Sequence, residues 1–513
     1  MISPSLLLFG AAFVAPMLAG AQQSESATFY LLARGDTILV ERQTRSATRV
    51  DGEFVDRTRG AHVAFSATLA SDASITRLET RVTIGAGDTA AQRQTLIFTS
   101  DSLVIESGRG TVRTAVAAGA MPYINPSPSS MEQLLLRAKT LHTATAVIPL
   151  APSSAGASAT VTWAGNDSAT LAFPGASVHL AVSATGRILG GAIPAQGLVI
   201  VRGSEIAPLA VERRDYSAPA GAPYTAQDVV FTTPAGIKLA GTLTLPSGVR
   251  GPVPAIVTLT GSGQQDRDET LTGITGYRPL RQIADTLGRR GIAVLRIDDR
   301  GVGGSGGDPR TETSGDYADD IRAAVAYLRS RPEIDPKRIG LLGHSEGGIV
   351  APMVAASDST IRGLVLMAGT ARTGRRILEY QLGRQIDRAP VSTAVRDSLR
   401  RLIPARLDSM AAMPWTRFFL TYDPATTARR VHTPVLILQG EGDIQVTPDQ
   451  APELAAAFRA GGNTHVTVRA FPKTNHLFLL DSQGDTDYAA LPSKQVPAEV
   501  LGAIVDWLVS TMR

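Results

Sequence analysis

Cysteine is missing from all 513 residues. Its absence excludes a disulfide framework, a cysteine nucleophile, thiolate metal sites and a lipid-modified N-terminal cysteine. Lysine is scarce: five of the 50 basic residues are lysine, and the arginines are scattered among 46 acids rather than gathered in a stripe. A net charge of +4 distributed in this way leaves no nucleic-acid footprint. Long apolar runs are also lacking beyond residue 18, so no membrane span is predicted in the mature chain. Residues 6–18 are apolar and uncharged, too short to span a bilayer comfortably, and end in Ala19-Gly20-Ala21 before Gln22-Gln23-Ser24. That pattern predicts a cleaved signal peptide over 1–21 and a soluble secreted or periplasmic protein. With no Lys or Arg ahead of the run, an uncleaved anchor is the alternative.

A chain of this length exceeds one core, and its rhythm changes once. Residues 22–203 read as short strands (37–41, 61–69, 80–84, 95–99, 111–116, 160–163 and 198–201), several with alternating apolar and polar residues. One segment, 131–141, carries apolar residues at helical spacing after a Pro/Ser-rich lead. An all-β antiparallel domain with one helix is expected, as a sandwich or an open barrel. Two of its histidines, His62 and His179, fall in strand patterns and read as structural. Residues 204–226, rich in Ala, Pro and charge, form a linker.

From 227 to 513 strands alternate with helices. An opening hairpin (229–232 and 239–245) leads to apolar runs at 255–259, 292–297, 364–368 and 435–438 and a last strand at 465–470. Helical patterns at 280–290, 317–331, 452–460 and 498–512 separate them. Such alternation predicts a mostly parallel sheet covered on both faces, with chemistry at the carboxyl ends of the strands. Between 371 and 430 the alternation stops, and arginine-rich helical patterns suggest a cap over that face. Within it, Trp415, Phe418, Phe419 and Tyr422 are candidates to line a substrate pocket, or else core.

The stretch 338–348, Arg-Ile-Gly-Leu-Leu-Gly-His-Ser-Glu-Gly-Gly, reads as a strand, a sharp turn and the start of a helix. A serine at such a turn is held strained and exposed, with Gly343 and Gly347 removing side chains that would clash. Gly303-Gly304-Ser305-Gly306-Gly307 fits the same G-x-S-x-G pattern but has no strand before it and no helix after it, so Ser345 is the predicted nucleophile. A serine hydroxyl needs a base, and the base a carboxylate to orient it. His476 alone among the seven histidines follows the last predicted strand in a loop. His465 lies at the wrong end of that strand, and His344 is expected to point away from Ser345. After the strand at 435–438, Asp443 is the predicted acid, with Glu441 as runner-up; Asp298 and Asp299 read as loop-organising. The oxyanion donors expected are the N–H of Glu346 at the new helix and that of Ser262, or Gly263, in the glycine turn after 255–259.

Taken together, Gly261-Ser262-Gly263 with Asp266-Arg267-Asp268, Asp298-Asp299-Arg300-Gly301, Gly343-His344-Ser345-Glu346-Gly347, Tyr422-Asp423-Pro424, 440–448 and Asn475-His476-Leu477-Phe478 resemble bacterial serine hydrolases of the α/β-hydrolase superfamily. More narrowly, they resemble the carboxylesterase branch grouped with serine aminopeptidase (S33)-like hydrolases. The resemblance covers 227–513. It implies hydrolysis of short to medium acyl esters through an acyl-serine, with no metal and no organic cofactor. One departure is Gln264, where the family's pattern suggests proline. The alternatives are a peptidase with an acidic anchor at Asp387, Asp397 or Asp423, and a non-catalytic binding protein on the same fold. If His476 is the base, activity should fall at acidic pH as it protonates.

Overall fold

The computed structural model describes residues 24–513 apart from 34–35, 58–59, 85–90, 109, 153–156, 174–175, 204–213, 272–273, 275, 309–310, 390 and 484–486. The expected signal peptide and part of the expected linker therefore lie outside the described residues.

The N-terminal domain is built from β1 (Glu25–Ala33), β2 (Asp36–Arg45), β3 (Arg49–Asp56), β4 (Ala61–Leu69), β5 (Ile75–Ile84), β6 (Gln92–Phe98), β7 (Ser102–Ser107), β8 (Gly110–Ala115), helix α1 (Pro128–Thr140), β9 (Thr145–Pro149), β10 (Ser158–Ala164), β11 (Ser168–Phe173), β12 (Ala176–Val182), β13 (Ile188–Ile193) and β14 (Leu198–Gly203). All fourteen strands form one antiparallel sheet, ordered β8-β7-β6-β5-β4-β3-β2-β1-β14-β13-β12-β11-β10-β9. Of the two expected forms it is nearer the open barrel: a single sheet, not two packed ones. Pairing of β1 with β14 joins its two arms. Met131, Leu134, Leu135 and Ala138 of α1 share one buried cluster with residues from both arms, including Leu39, Phe65, Val161 and Leu180. Among the described residues neither arm has another layer to cover its apolar face, and the helix packs against both.

The C-terminal domain contains β15 (Tyr224–Thr232), β16 (Lys238–Pro246), β17 (Val253–Leu259), α2 (Pro279–Gly288), β18 (Ala293–Ile297), α3 (Ser314–Arg329), β19 (Ile334–His344), α4 (Gly347–Ala355) and β20 (Leu364–Met367). Four helices then intervene, α5 (Gly374–Arg388), α6 (Thr393–Met410), α7 (Pro414–Thr421) and α8 (Pro424–Ala428), before β21 (Val435–Gly440), α9 (Gln450–Ala460), β22 (Val466–Phe471) and α10 (Ala498–Thr511). The eight-stranded sheet runs β15-β16-β18-β17-β19-β20-β21-β22, antiparallel through β15 and β16 and parallel thereafter. Period-2 alternation sends Ala255, Val257, Leu341 and Leu366 to the face covered by α3, α4 and α9. Ile256, Leu342 and Val365 go to the face covered by α2 and α10. After β17 the chain crosses to β18 on one side, then returns past it to β19 on the other, so β17 marks the point where the winding reverses. Ligand crevices open at such points, beyond the strands' carboxyl ends.

Candidate active site

Register decides which loops meet. Leu259 pairs with Gly343, so the loop after β17 and the turn after β19 leave the sheet side by side. Gly440 pairs with Phe471, which brings the loops after β21 and β22 together. At the turn, Ser345 sits at φ +51°, a left-handed conformation costly for any residue with a Cβ. Both flanking glycines are sterically required. A Cβ on Gly347 would lie 2.6 Å from the Leu259 carbonyl oxygen, and one on Gly343 would collide with the Gly347 carbonyl.

His476 Nε2 lies 3.2 Å from Ser345 Oγ, and its Nδ1 lies 2.8 Å from Asp443 Oδ2. Asp443 is buried and accepts from the backbone N–H groups of Gln445 and Val446 at Oδ1 and from Gln439 Nε2 at Oδ2. With its acceptors so occupied, the carboxylate has one orientation. Asn475 fixes the histidine loop by accepting the N–H groups of Leu477 and Leu479, and the Tyr277 hydroxyl donates to the Leu477 carbonyl at 3.1 Å. Glu441 is exposed to solvent. Ser305 is buried, donating to the Asp298 carbonyl and accepting from the Ala240 N–H, which makes it a structural serine.

The N–H groups of Glu346 and Ser262 have no hydrogen-bond partner among the described residues, and both residues line the cleft above Ser345. Gly261 lies against Ser345, but its N–H is given to Glu269 Oε1 at 2.9 Å. Gly263, at φ +99°, is not among the residues lining the cleft. Behind this loop Arg267 forks onto Asp298, while Asp299 accepts from Thr260 Oγ1 and the Gln265 N–H. Asp298 and Asp299 thus organise the loop, as their position suggests. Burial pushes the Asp299 carboxyl well above the usual carboxylate range.

The ring of His344, expected to point away from Ser345, has its centroid 5.0 Å from that of His476 and bridges two loops. His344 Nδ1 is 2.5 Å from Glu269 Oε1, and Nε2 is 2.9 Å from the His476 carbonyl oxygen. A carbonyl only accepts, so Nε2 carries a proton; at Nδ1 a second proton lies between ring and carboxylate. Burial alone would lower the His344 pKa, but the charge and hydrogen bond of Glu269 and the His476 carbonyl outweigh it and raise the value. Glu269, at φ +59°, therefore links three parts: the loop after β17 through Gly261, the turn through His344, and the His476 loop beyond. Neither residue was assigned this role from sequence. The only signal was a glutamate three residues beyond Asp266 in a glycine turn.

The aromatic expectations divide. Trp415 and Phe419, stacked one turn apart on α7 with ring centroids 5.1 Å apart, line the cleft. Phe418 and Tyr422 do not: they lie on the helix's other side, stacked on each other at 5.2 Å, with Tyr422 bonded to Thr427. Trp415 Nε1 donates to Glu346 Oε1 at 2.8 Å, and Ser314 Oγ donates to the same oxygen at 2.6 Å. Burial raises the Glu346 carboxyl above its ordinary value, and these donors hold it down. The cleft encloses about 250 Å³, with Ile349, Ile377, Leu378, Trp415 and Phe419 as its apolar wall. Among the described residues no group of His, Asp or Glu is arranged to hold a metal ion, and no helix is long and apolar enough to cross a membrane.

A mostly parallel, two-faced sheet with a serine on the β19–α4 turn and a helical insertion after β20 defines the α/β-hydrolase fold. Residues 277–483 match the serine aminopeptidase, S33, family; this segment includes Ser345, Asp443 and His476 but not the loop at 260–269. The chain is 31% identical over 283 residues, 53% of its length, to the esterase EstD of Thermotoga maritima. It is 26% identical over 266 residues, 49% of its length, to the uncharacterized peptidase YuxL of Bacillus subtilis. These matches span 65% and 35% of the two relatives, less than two thirds of either. A solved esterase of Pyrococcus furiosus superposes on 59% of this chain and 96% of its own, at 18% identity and a TM-score of 0.43. The C-terminal domain is thus similar to serine hydrolases of the α/β-hydrolase fold, among them esterases and the S33 aminopeptidases.

Proposed function

We propose that the protein is a carboxylesterase acting on short to medium acyl esters through Ser345, His476 and Asp443. The observation that carries this reading is the continuous contact from Asp443 Oδ2 through both nitrogens of His476 to Ser345 Oγ. His476 Nε2 takes the Ser345 proton as Oγ attacks the ester carbonyl. The resulting oxyanion is met by the N–H groups of Glu346 and Ser262, each such donor contributing ~3 kcal/mol to the transition state. Collapse expels the alcohol, which takes the proton from His476. Water then attacks the acyl-serine under the same base and releases the acid. Asp443 holds the tautomer that leaves Nε2 free to accept and stabilises the imidazolium formed at each step.

An ester is favoured over a peptide by what the cleft lacks. An aminopeptidase needs an uncommitted carboxylate for the substrate's ammonium group. Of the acids lining the cleft, Glu269 is engaged at Oε1 by His344 and Gly261, and Glu346 at Oε1 by Ser314 and Trp415; the Oε2 atoms of both have no partner among the described residues but are buried from solvent, out of a substrate ammonium group's reach. Asp387 pairs with Arg400, Asp423 caps α8, and neither they nor Asp397 line the cleft. The test is a panel of p-nitrophenyl acyl esters against aminoacyl p-nitroanilides on the full chain. Turnover of the esters with little or none of the anilides is expected; the reverse preference would overturn the esterase reading in favour of a peptidase.

A further inference from the structure

The cap differs from the rest of the chain in charge and in surface. Residues 371–430 hold twelve arginines and five acids, a net +7 in a chain whose total is +4. The remainder is therefore slightly acidic. Among the described residues, six of the fifteen large hydrophobic side chains left exposed also lie in this short segment: Tyr380, Val391, Val395, Leu399, Leu402 and Met413. Cation and exposed hydrocarbon are thus concentrated together.

Helix α6 carries the centre of that patch. Its Leu407 is buried, with Ile403 and Met410 half-buried on the same side, where it packs chiefly against α5. Val395, Leu399 and Leu402, spaced i, i+4 and i+7, form a second stripe beside the first, and they are 45%, 38% and 60% exposed. Arg406 continues this stripe by one turn and is exposed, while Asp397 falls on the opposite side of the helix. Asp387 and Asp408 are taken by Arg400 and Arg375, whereas neither Arg401 nor Arg406 meets a carboxylate among the described residues. An apolar stripe with cations around it marks a contact surface.

We propose that α6 docks the cap onto an anionic lipid surface, with Val395, Leu399 and Leu402 entering the headgroup boundary and Arg406 on lipid phosphate. The cap's net charge draws it to negative headgroups, and the stripe supplies hydrocarbon to bury on arrival. A second copy of the chain is a poorer occupant. Three or four side chains fall far short of the ~1,200 Å² that a stable interface buries, and a two-fold contact would set one positive cap against another. Ile377, Leu378 and Gln381 of α5 line the cleft above Ser345, so the lipid contact lies one helix away from it.

Flotation of the full-length protein with vesicles tests this, using phosphatidylglycerol and phosphatidylcholine in equal parts against phosphatidylcholine alone. Binding to the anionic vesicles is expected, at least about tenfold stronger than to the neutral ones and largely lost in about 0.5 M NaCl. The double variant Leu399→Ser/Leu402→Ser should bind about tenfold more weakly, and Arg406→Gln about fivefold, with hydrolysis of a soluble p-nitrophenyl ester unchanged in both. Flotation does not depend on turnover, so the proposal and the esterase reading fail separately. Absent binding to anionic vesicles, equal binding to neutral ones, or undiminished binding by the double variant overturns the proposal. So does a wild type that is dimeric in solution and becomes monomeric in the double variant, which would give the stripe to a second copy.

Discussion

Each domain buries charged groups beneath a helix-bearing turn, and the two clusters are satisfied differently. Below Ser345, the Glu269–His344 pair sends one hydrogen bond to the loop after β17 and another to the His476 carbonyl. Its polar contacts hold the neighbouring loops of the proposed active site in register. Below α1, Glu132 collects Gln43, the Ile188 N–H and three arginines, Arg45 of β2, Arg187 just before β13 and Arg202 of β14, tying one helix to both arms of a sheet. The first cluster fixes the loops that carry the proposed triad; the second fixes a layer of the sheet domain.

The largest expected effects separate these roles. Asp443→Asn should lower kcat by about 10⁴-fold by reversing the His476 tautomer, with thermal stability little changed. Glu132→Gln should do the opposite. It leaves three arginines facing a neutral amide, costing about 3–5 kcal/mol of N-terminal domain stability by chemical denaturation, with kcat for esters unaltered. A kcat that fell with Glu132→Gln would mean that the two clusters are coupled.

Proton linkage separates them further. The folded-state pKa of Glu41 is raised to about 7 from 4.5, so the folded chain binds the extra proton and wild-type stability declines as pH rises from about 4.5 to 7. Glu41→Gln removes that penalty. Relative to wild type it should gain about 3 kcal/mol at pH 8 and nothing near pH 4, read from urea denaturation at the two pH values. His344 is likewise raised, so its stabilisation is fully present below 6.5 and is lost as pH rises through the folded value above it. Glu269→Gln should therefore cost about 1–2 kcal/mol at pH 6 and less at pH 9, measured in the same way on the C-terminal transition. The smallest effect belongs to the cap. Trp415→Phe keeps the stack on Phe419 but loses the bond to Glu346, and should raise KM by about fivefold with kcat nearly unchanged.

The same two clusters show why one half of the molecule was readable in sequence and the other only in outline. In the C-terminal domain, runs such as 255–259 and 435–438 are buried on both faces, so hydrophobicity alone marks β17 and β21 within two residues at either end. In β2, inward positions 41, 43 and 45 are Glu, Gln and Arg. Alternation therefore seemed to end at residue 41, although the strand runs to Arg45. Those residues are buried because α1 supplies their partners from some ninety positions away, a contact with no local trace. The strands β1, β3, β7, β9, β11 and β13 were not foreseen, and β12 only as the pattern around His179; several are short or rich in Gly, Ser and Ala, as in β13 with Gly190 and Gly191. At the site, Ser345, Asp443 and His476 were legible because each ends a strand or follows one. Glu269 and His344 were not, because their role exists only once two loops lie side by side. Phe418 and Tyr422 share their spacing with Trp415 and Phe419, and only packing distinguishes the two faces of α7.

The most direct measurement is intact-mass analysis after a fluorophosphonate probe, paired with ester hydrolysis, on the wild type and Ser345→Ala. A single adduct on the wild type, none on the variant, and hydrolysis reduced to background in a folded Ser345→Ala are predicted. An adduct that persists without Ser345, or a variant that hydrolyses esters at the wild-type rate, would contradict the account.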